Sequence, residues 1–119
     1  MNRVLPVLLV LAMGCTSPMF APEGGSSFVP PAIYQSWYEQ MEECSGHQGD
    51  LARVQWDTLA GWSFRCPIGE CAGWWMYPHS ITLAADHVNR KSVVQHEMLH
   101  DILQHGRHGA AFDTCGVRL

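Results

Sequence analysis

Residues 93–112, VVQHEMLHDILQHGRHGAAF, constrain the fold more than any other part of the chain. With Val93 placed at 0° and each residue advancing by about 100°, four apolar side chains of this segment fall in one sector of a helical wheel, between roughly 100° and 240°. They are Val94, Met98, Leu99 and Ile102. Ser92 and Gln95 fit a capping box, although Asn89 offers a start one turn earlier, and Gly106 offers an end. The pattern therefore predicts a C-terminal helix that packs one face against a core.

The same segment holds four of the seven histidines of the chain, at positions 96, 100, 105 and 108. His96 and His100 fall at about 300° and 340° on the wheel, away from the apolar sector, and Glu97 falls at about 40°. Core packing does not explain two stacked histidines on that side. HEMLH is an HExxH motif, in which imidazoles four residues apart bind one Zn²⁺ and the glutamate takes a proton from zinc-bound water. The motif predicts His96 and His100 as zinc ligands and Glu97 as the general base.

A third protein ligand must come from elsewhere, because catalytic zinc usually takes three and keeps one position open. Leu103 and Gly106 stand where the extended metzincin pattern needs glycine and histidine, and residues 101–119 contain no glutamate for a gluzincin arrangement. The remaining candidates are His105, His108, Asp113 and Asp101. On a continuous helix, Asp101 and His105 lie about 100° and 140° around from His100, so His105 can serve only if the helix has already ended.

The segment HGAAF, residues 108–112, resembles the H-G-x-x-F segment that follows HExxH in SprT-like metalloproteases, the Spartan and minigluzincin-like group. The resemblance covers residues 93–112, and the seven residues between His100 and His108 are fewer than is usual in that group. It implies that His108 is the third zinc ligand, that the aromatic residue packs behind the site, and that Glu97 is the catalytic base. His105 stays an alternative ligand or a stabiliser of the transition state.

The rest of the chain predicts an α+β domain. Residues 32–44 predict an N-terminal helix that ends at Gly46, with Ile33, Trp37 and Met41 on its buried stripe and Tyr34 and Tyr38 widening it. Strand-like runs at residues 51–61, 62–66 and 73–85 predict a roughly three-stranded antiparallel sheet before the HExxH helix. Together these elements describe a small zincin-like domain.

Further expectations concern the sheet, the surroundings of the site and the core. We expect residues 79–84 to form the edge strand that lines the cleft, where a peptide substrate can add as a further strand. Tyr77, His79 and His105 are candidates to stabilise an oxyanion, and Asp86, Asp101 and Asp113 could orient the imidazoles. Trp37, Trp56 and Trp62 are expected in the core.

The N-terminus predicts export. Arg3, a short apolar run and small residues before Cys15 are typical of a secretory signal over residues 1–14, too short to span a membrane. LAMGC resembles a bacterial lipobox with Cys15 as lipid acceptor, although Ala12 stands where leucine is preferred and ordinary signal peptidase also fits. We favour a lipoprotein of the bacterial cell envelope, anchored in the outer membrane and facing the periplasm. Residues 15–31 then form a flexible tether, and residues 32–119 form one domain.

Cysteine usage agrees with export, because the four cysteines after Cys15 suit two disulfides in an oxidising compartment. Three pairings are available. The spacing favours a short loop from Cys66 to Cys71, which leaves Cys44 to pair with Cys115. A cysteine-based structural zinc site lacks the usual close-spaced pairs.

Charge and motif together limit the function. Removing residues 1–14 takes away Arg3 and no acid, so the formal net charge of −4 becomes −5. No basic cluster exceeds the pair Arg90-Lys91, which argues against nucleic acid as a partner and leaves the lipid anchor as the membrane contact.

The primary hypothesis is a zinc-dependent peptidase that acts on peptides or proteins outside the cytoplasm. The alternatives are a non-catalytic zinc-binding or chaperone lipoprotein and an interaction module presenting residues 74–77.

Overall fold

The computed structural model of the protein describes residues 24–119. The expected signal segment, the acceptor Cys15 and the first part of the tether lie outside the described residues. Within residues 24–119, no helix is long and apolar enough to cross a membrane.

The described chain forms three α-helices, a four-stranded sheet and a separate β-hairpin. The helices are α1 (Ile33–Ser45), α2 (Lys91–Leu103) and α3 (Ala110–Thr114). The strands are β1 (Ser26–Ser27), β2 (Gln55–Leu59), β3 (Phe64–Cys66), β4 (Gly69–Cys71), β5 (Gly73–Met76) and β6 (Ser80–Ala84). The α+β class is confirmed, and the C-terminal part of the expected tether contributes strand β1.

The main sheet is mixed, with the order β1-β2-β6-β5, and so the expected three-stranded antiparallel sheet is wrong in detail. β2 and β6 pair in parallel, whereas β1 and β5 run antiparallel to their neighbours. The run 73–85 forms two strands because Pro78 has no N–H to donate and lies in the turn between them. As a result β6 is an inner strand, and β5 takes the outer position that we expected for residues 79–84.

Helix α1 buries a stripe centred one residue later than expected. Tyr34, Tyr38 and Met41 are buried, whereas Ile33 is exposed and Trp37 is half-buried. The tyrosines are inside because each hydroxyl has a partner, which removes the cost of burying it: Tyr34 donates to the Val88 carbonyl at 2.6 Å and Tyr38 to Asp101 at 2.9 Å. Gly46 ends the helix at a φ of 72°, as predicted.

Helix α2 is buried on every side. All ten residues from Val93 to Ile102 are buried, because α1, β5 and β6 pack around the helix. The apolar sector is therefore in the core, as predicted, but the histidine side is covered as well. The predicted capping box is wrong, since Gln95 donates instead to Trp37 and Gln40. The helix ends at Leu103, with Gln104 in the left-handed conformation, two residues before the expected end.

Both disulfides have the pairing that the sequence favoured. Cys66 is bonded to Cys71 across the β3–β4 hairpin, and Cys44 at the end of α1 is bonded to Cys115 just after α3. The second bond ties the C-terminal segment to the N-terminal helix across a sequence separation of 71 residues.

We expect removal of Cys44–Cys115, by serine at both positions, to lower the free energy of unfolding by about 4 kcal/mol, because a long loop is freed in the unfolded chain. Serine at Cys66 and Cys71 frees a short loop and should cost about 2 kcal/mol. Urea denaturation of the two double variants measures both values. A larger loss for the short loop would contradict loop closure as the dominant effect.

Candidate metal centre

Three imidazole side chains converge at the end of α2. His96 and His100 lie one helical turn apart, and His108 reaches back from the connection between α2 and α3. The Nε2 atom of His108 lies 3.1 Å from the Nε2 atom of His96 and 3.1 Å from that of His100. The ligand atoms of these three residues all lie within 4.8 Å of one another, so the cluster could hold a metal ion. The set predicted from the two motifs is thus brought together.

Backbone carbonyls fix the protonation of two of these rings. His96 Nδ1 lies 2.7 Å from the Val117 carbonyl oxygen, and His100 Nδ1 lies 2.9 Å from the His105 carbonyl oxygen. A carbonyl can only accept a hydrogen bond, so each Nδ1 carries the proton and donates it. In a neutral ring the Nε2 atom is then left with a free lone pair. Burial lowers the pKa of His96, and it lowers that of His100 to about 4, which favours the neutral rings.

This electronic arrangement fits a divalent cation. Two Nε2 lone pairs face one small volume, and His108 can offer at most one N–H to them when it is neutral. A metal ion accepts all three lone pairs at once. Nitrogens bound to tetrahedral zinc at about 2.0–2.1 Å are separated by roughly 3.3–3.4 Å, close to the 3.1 Å spacing measured from His108. The donor set also suits zinc, which accepts imidazole nitrogen readily.

Phe112 in α3 supports the cluster from behind. Its ring is fully buried, and its centroid lies 4.9, 4.7 and 5.0 Å from the ring centroids of His96, His100 and His108 respectively. One aromatic side chain therefore restricts the rotation of all three imidazoles. This is the packing that the resemblance to HGxxF segments implied.

The C-terminal residues hold the returning loop in place. Arg118 donates to the carbonyl oxygens of His108 and Gly109 at 3.2 and 3.4 Å. The same guanidinium forms an ion pair with Asp113, which keeps the pKa of that carboxyl low. Asp113 therefore holds Arg118, which in turn binds the backbone around His108. Asp113 is neither a metal ligand nor the partner of an imidazole.

Glu97 lies in the same cavity as the three histidines and is almost completely buried, with 5% exposure. Trp75 lines the same cavity, and its backbone favours the charged form of the carboxyl group. Burial outweighs this effect and raises the pKa of Glu97 to about 8. A carboxyl group with a pKa near neutrality can both accept and return a proton.

Strand β5 passes close to this carboxyl group because of Gly73. A Cβ atom at position 73 would lie 2.8 Å from both Cγ and Oε1 of Glu97. Any other residue there would displace the buried glutamate. The glycine is thus part of the site.

A cavity of about 210 Å³ opens onto the cluster. Besides the three histidines and Glu97, its wall includes the apolar side chains Ile68, Trp74 and Trp75. The Trp75 ring is stacked on His100 at 6.1 Å between centroids, with an interplanar angle of 19°. This ring is itself anchored, because its Nε1 donates to Asp101 at 3.2 Å.

Several candidate residues lie outside the centre. The His105 side chain is not in the cluster, and only its carbonyl oxygen contacts His100. His79 pairs with Asp101 at 3.0 Å, and it lines a different groove together with the exposed Tyr77. Asp101 orients Trp75 and His79 rather than a histidine of the cluster. Asp86 is exposed.

Four contributors were missed by sequence reasoning: Gly73, Trp75, Val117 and Arg118. Val117 acts through its carbonyl oxygen, which every residue possesses, so no residue type could have marked it. Gly73 and Trp75 are brought to Glu97 by the pairing of β5 with β6, which is a tertiary effect.

Searches against protein-family models, curated proteins and solved structures found no match. No family is therefore identified, and the likeness to SprT-like metalloproteases rests on the HExxH and HGxxF segments alone. What the chain itself provides is a cluster of three histidines, two of them buried, that could bind a metal ion, with a buried glutamate beside it.

Proposed function

We propose that the protein is a zinc-dependent peptidase of zincin type that hydrolyses peptide bonds outside the cytoplasm. One observation carries the proposal: the buried carboxyl group of Glu97 shares a cavity with three converging imidazole nitrogens. A site that only binds metal needs the histidines but has no use for a buried carboxyl group, which costs free energy to keep out of water.

His96, His100 and His108 would hold the ion, with Nδ1 of the first two rings held by backbone carbonyls. When bound, zinc supplies a Lewis acid that polarises the scissile carbonyl and lowers the pKa of water toward about 7. Glu97 accepts the proton of the attacking water at its carboxylate and returns it to the departing amine. The close approach of strand β5 at Gly73 limits the positions that this carboxylate can take.

Strand β5 is the element best placed to hold the substrate. It is an outer strand of the sheet formed by the described residues, and it borders the cavity through Gly73, Trp74 and Trp75. A peptide added along its free edge would gain main-chain hydrogen bonds and pass beside Glu97. This assignment replaces residues 79–84, which form an inner strand.

Export agrees with the two disulfides, which suit an oxidising, extracytoplasmic compartment. The lipid anchor at Cys15 and the orientation toward the periplasm remain part of the proposal. An anchored peptidase would act on peptides or proteins that reach the cell surface or the periplasm.

The proposal is tested by incubating the mature, disulfide-bonded protein with a mixture of peptides and identifying products by mass spectrometry. We expect cleavage that a zinc chelator abolishes and added Zn²⁺ restores. Cleavage that continues after complete metal removal, or no cleavage of any peptide by the zinc-loaded protein, would contradict the proposal.

The alternative, a non-catalytic zinc-binding or chaperone lipoprotein, has less support. A zinc buffer would be expected to bind several ions, but residues 24–119 contain one cluster that could hold a metal. Of the other histidines, His79 is paired with Asp101 and His87 is buried against Trp62. Binding of more than one zinc per chain would favour the buffer.

We expect Gly73→Ala to lower kcat/KM by about 100-fold, because a shift of about 1 Å in a catalytic group has an effect of that size. The added Cβ atom would push the Glu97 carboxyl group out of place, while the three histidines keep the metal. Peptide hydrolysis and zinc content of the variant measure the two effects. Gly109→Ala is the matched control, because a Cβ atom there meets nothing within 4 Å. Equal activity of both variants would show that Gly73 does not position Glu97.

A further inference from the structure

The β3–β4 hairpin, residues 64–71, carries an apolar side chain to the mouth of the metal cavity. Ile68 is 76% exposed, yet it lines the same cavity as Glu97 and the three histidines. Ile68 and Pro67 are the two residues that connect the strands, since Cys66 pairs with Gly69. Single exposed apolar residues are ordinary on a surface. Ile68 differs because it lies at a cavity that is also lined by a buried glutamate and three histidines. A molecule bound in that cavity would contact it.

The hairpin is fixed rather than loosely attached. Phe64 and the Cys66–Cys71 disulfide pack with Ala84 in a small second core, and Trp74 packs against it. Gly69 takes a φ of 125°, which lets the chain turn tightly after Ile68. The isoleucine is therefore held at a set distance from the catalytic centre, as a wall of a binding site must be.

The chemistry of this wall selects an apolar group. Ile68 and Trp74 both line the cavity, and no lysine or arginine lines it among the described residues. An acidic substrate side chain would lose its hydration there without gaining a lysine or arginine partner. The volume of about 210 Å³ lies below the range of roughly 300–1,000 Å³ that is typical of pockets for whole small molecules. It suits the reacting peptide group and one neighbouring side chain.

We propose that Ile68 and Trp74 form the specificity subsite of this enzyme, and that its substrates are peptides with a large apolar residue next to the scissile bond. The proposal rests on the proposed peptidase function and names its substrate class. The hairpin holds Ile68 against that side chain, and strand β5 holds the peptide backbone.

The first test compares cleavage of a peptide series that varies only in the residue next to the scissile bond, with leucine, alanine or aspartate. We expect leucine to be preferred over alanine by roughly 10–200-fold in kcat/KM, the range that apolar contacts in a pocket provide. Ile68→Ser should reduce this preference at least severalfold, and Ile68→Leu should keep it. Val29→Ser removes another exposed β-branched residue, 88% exposed and outside the cavity, and should change nothing. An unchanged preference in Ile68→Ser would overturn the proposal.

The second test does not depend on turnover. Calorimetry measures binding of the leucine and aspartate peptides to the zinc-loaded Glu97→Gln variant, with and without Ile68→Ser. We expect tighter binding of the leucine peptide, and loss of that difference with serine at position 68. Selective binding by a wild-type protein that never cleaves would refute the peptidase function and retain the apolar subsite. Cleavage without selective binding would refute the subsite alone.

Discussion

Replacing Glu97 with glutamine is expected to lower kcat by about 10²–10⁴-fold, which is the usual contribution of general acid–base catalysis. Glutamine keeps the shape and nearly the volume of the side chain, so it fits the same buried position. It cannot accept the proton of water. The zinc content should remain that of the wild type, because the three ligands are unchanged.

Steady-state hydrolysis of one peptide, with metal analysis of the same sample, measures both quantities. Glu43→Gln, at an exposed position in α1, is the control for removal of a glutamate and should keep full activity. The unfolding midpoint should not fall in Glu97→Gln, since a neutral amide is no harder to bury than a carboxyl group. Undiminished turnover would remove Glu97 from the mechanism.

Replacing His108 with alanine is expected to release the metal and abolish activity. Removing a group that only hydrogen-bonds a metal ligand typically lowers metal affinity 10–100-fold. This variant loses one of the three ligands themselves, so its zinc affinity should fall by more than that. The fold should survive, because His108 is exposed and His96 and His100 keep their bonds to backbone carbonyls.

His105→Ala is the matched control for this prediction. The substitution removes an imidazole three residues away but leaves the His105 carbonyl oxygen, which is the group that contacts His100. Competition with a chromophoric zinc chelator gives both affinities. If His105→Ala loses the ion and His108→Ala retains it, the ligand set is wrong.

The centre of the site could be predicted because its spacing is local. Helical geometry alone brings His96 and His100 to one side, and the HGAAF segment indicated His108. The support for these rings could not be predicted, because it comes from distant backbone. The Val117 carbonyl and the close approach of Gly73 exist only after the C-terminal segment and β5 have packed against α2.

The sheet was predicted less well, for a related reason. Parallel strands are usually joined by a helix, which gives a recognisable alternation in the sequence. Here β2 and β6 are joined by the β3–β4 hairpin and β5, so their parallel pairing leaves no such signal. Trp62 was also placed wrongly: it is 62% exposed and does not enter the core. Its ring packs at a tilt against the buried His87, with 4.1 Å between centroids, and Arg90 lies over it.

The C-terminal helix illustrates the limit of periodicity. The predicted apolar sector is buried, but Glu97 and the histidine pair are buried too. Periodicity indicated which residues face the sheet and α1. It did not indicate that the chain after Leu103 returns to cover the other side, which is what converts a polar helix face into an enclosed site.

X-ray absorption at the zinc edge, combined with metal analysis of the purified protein, tests the central claim most directly. We predict one zinc ion per chain, bound by three imidazole nitrogens at about 2.0–2.1 Å, with one imidazole contribution lost in His108→Ala. A protein that retains no zinc, or whose zinc is bound through sulfur or by fewer than three imidazoles, would contradict it.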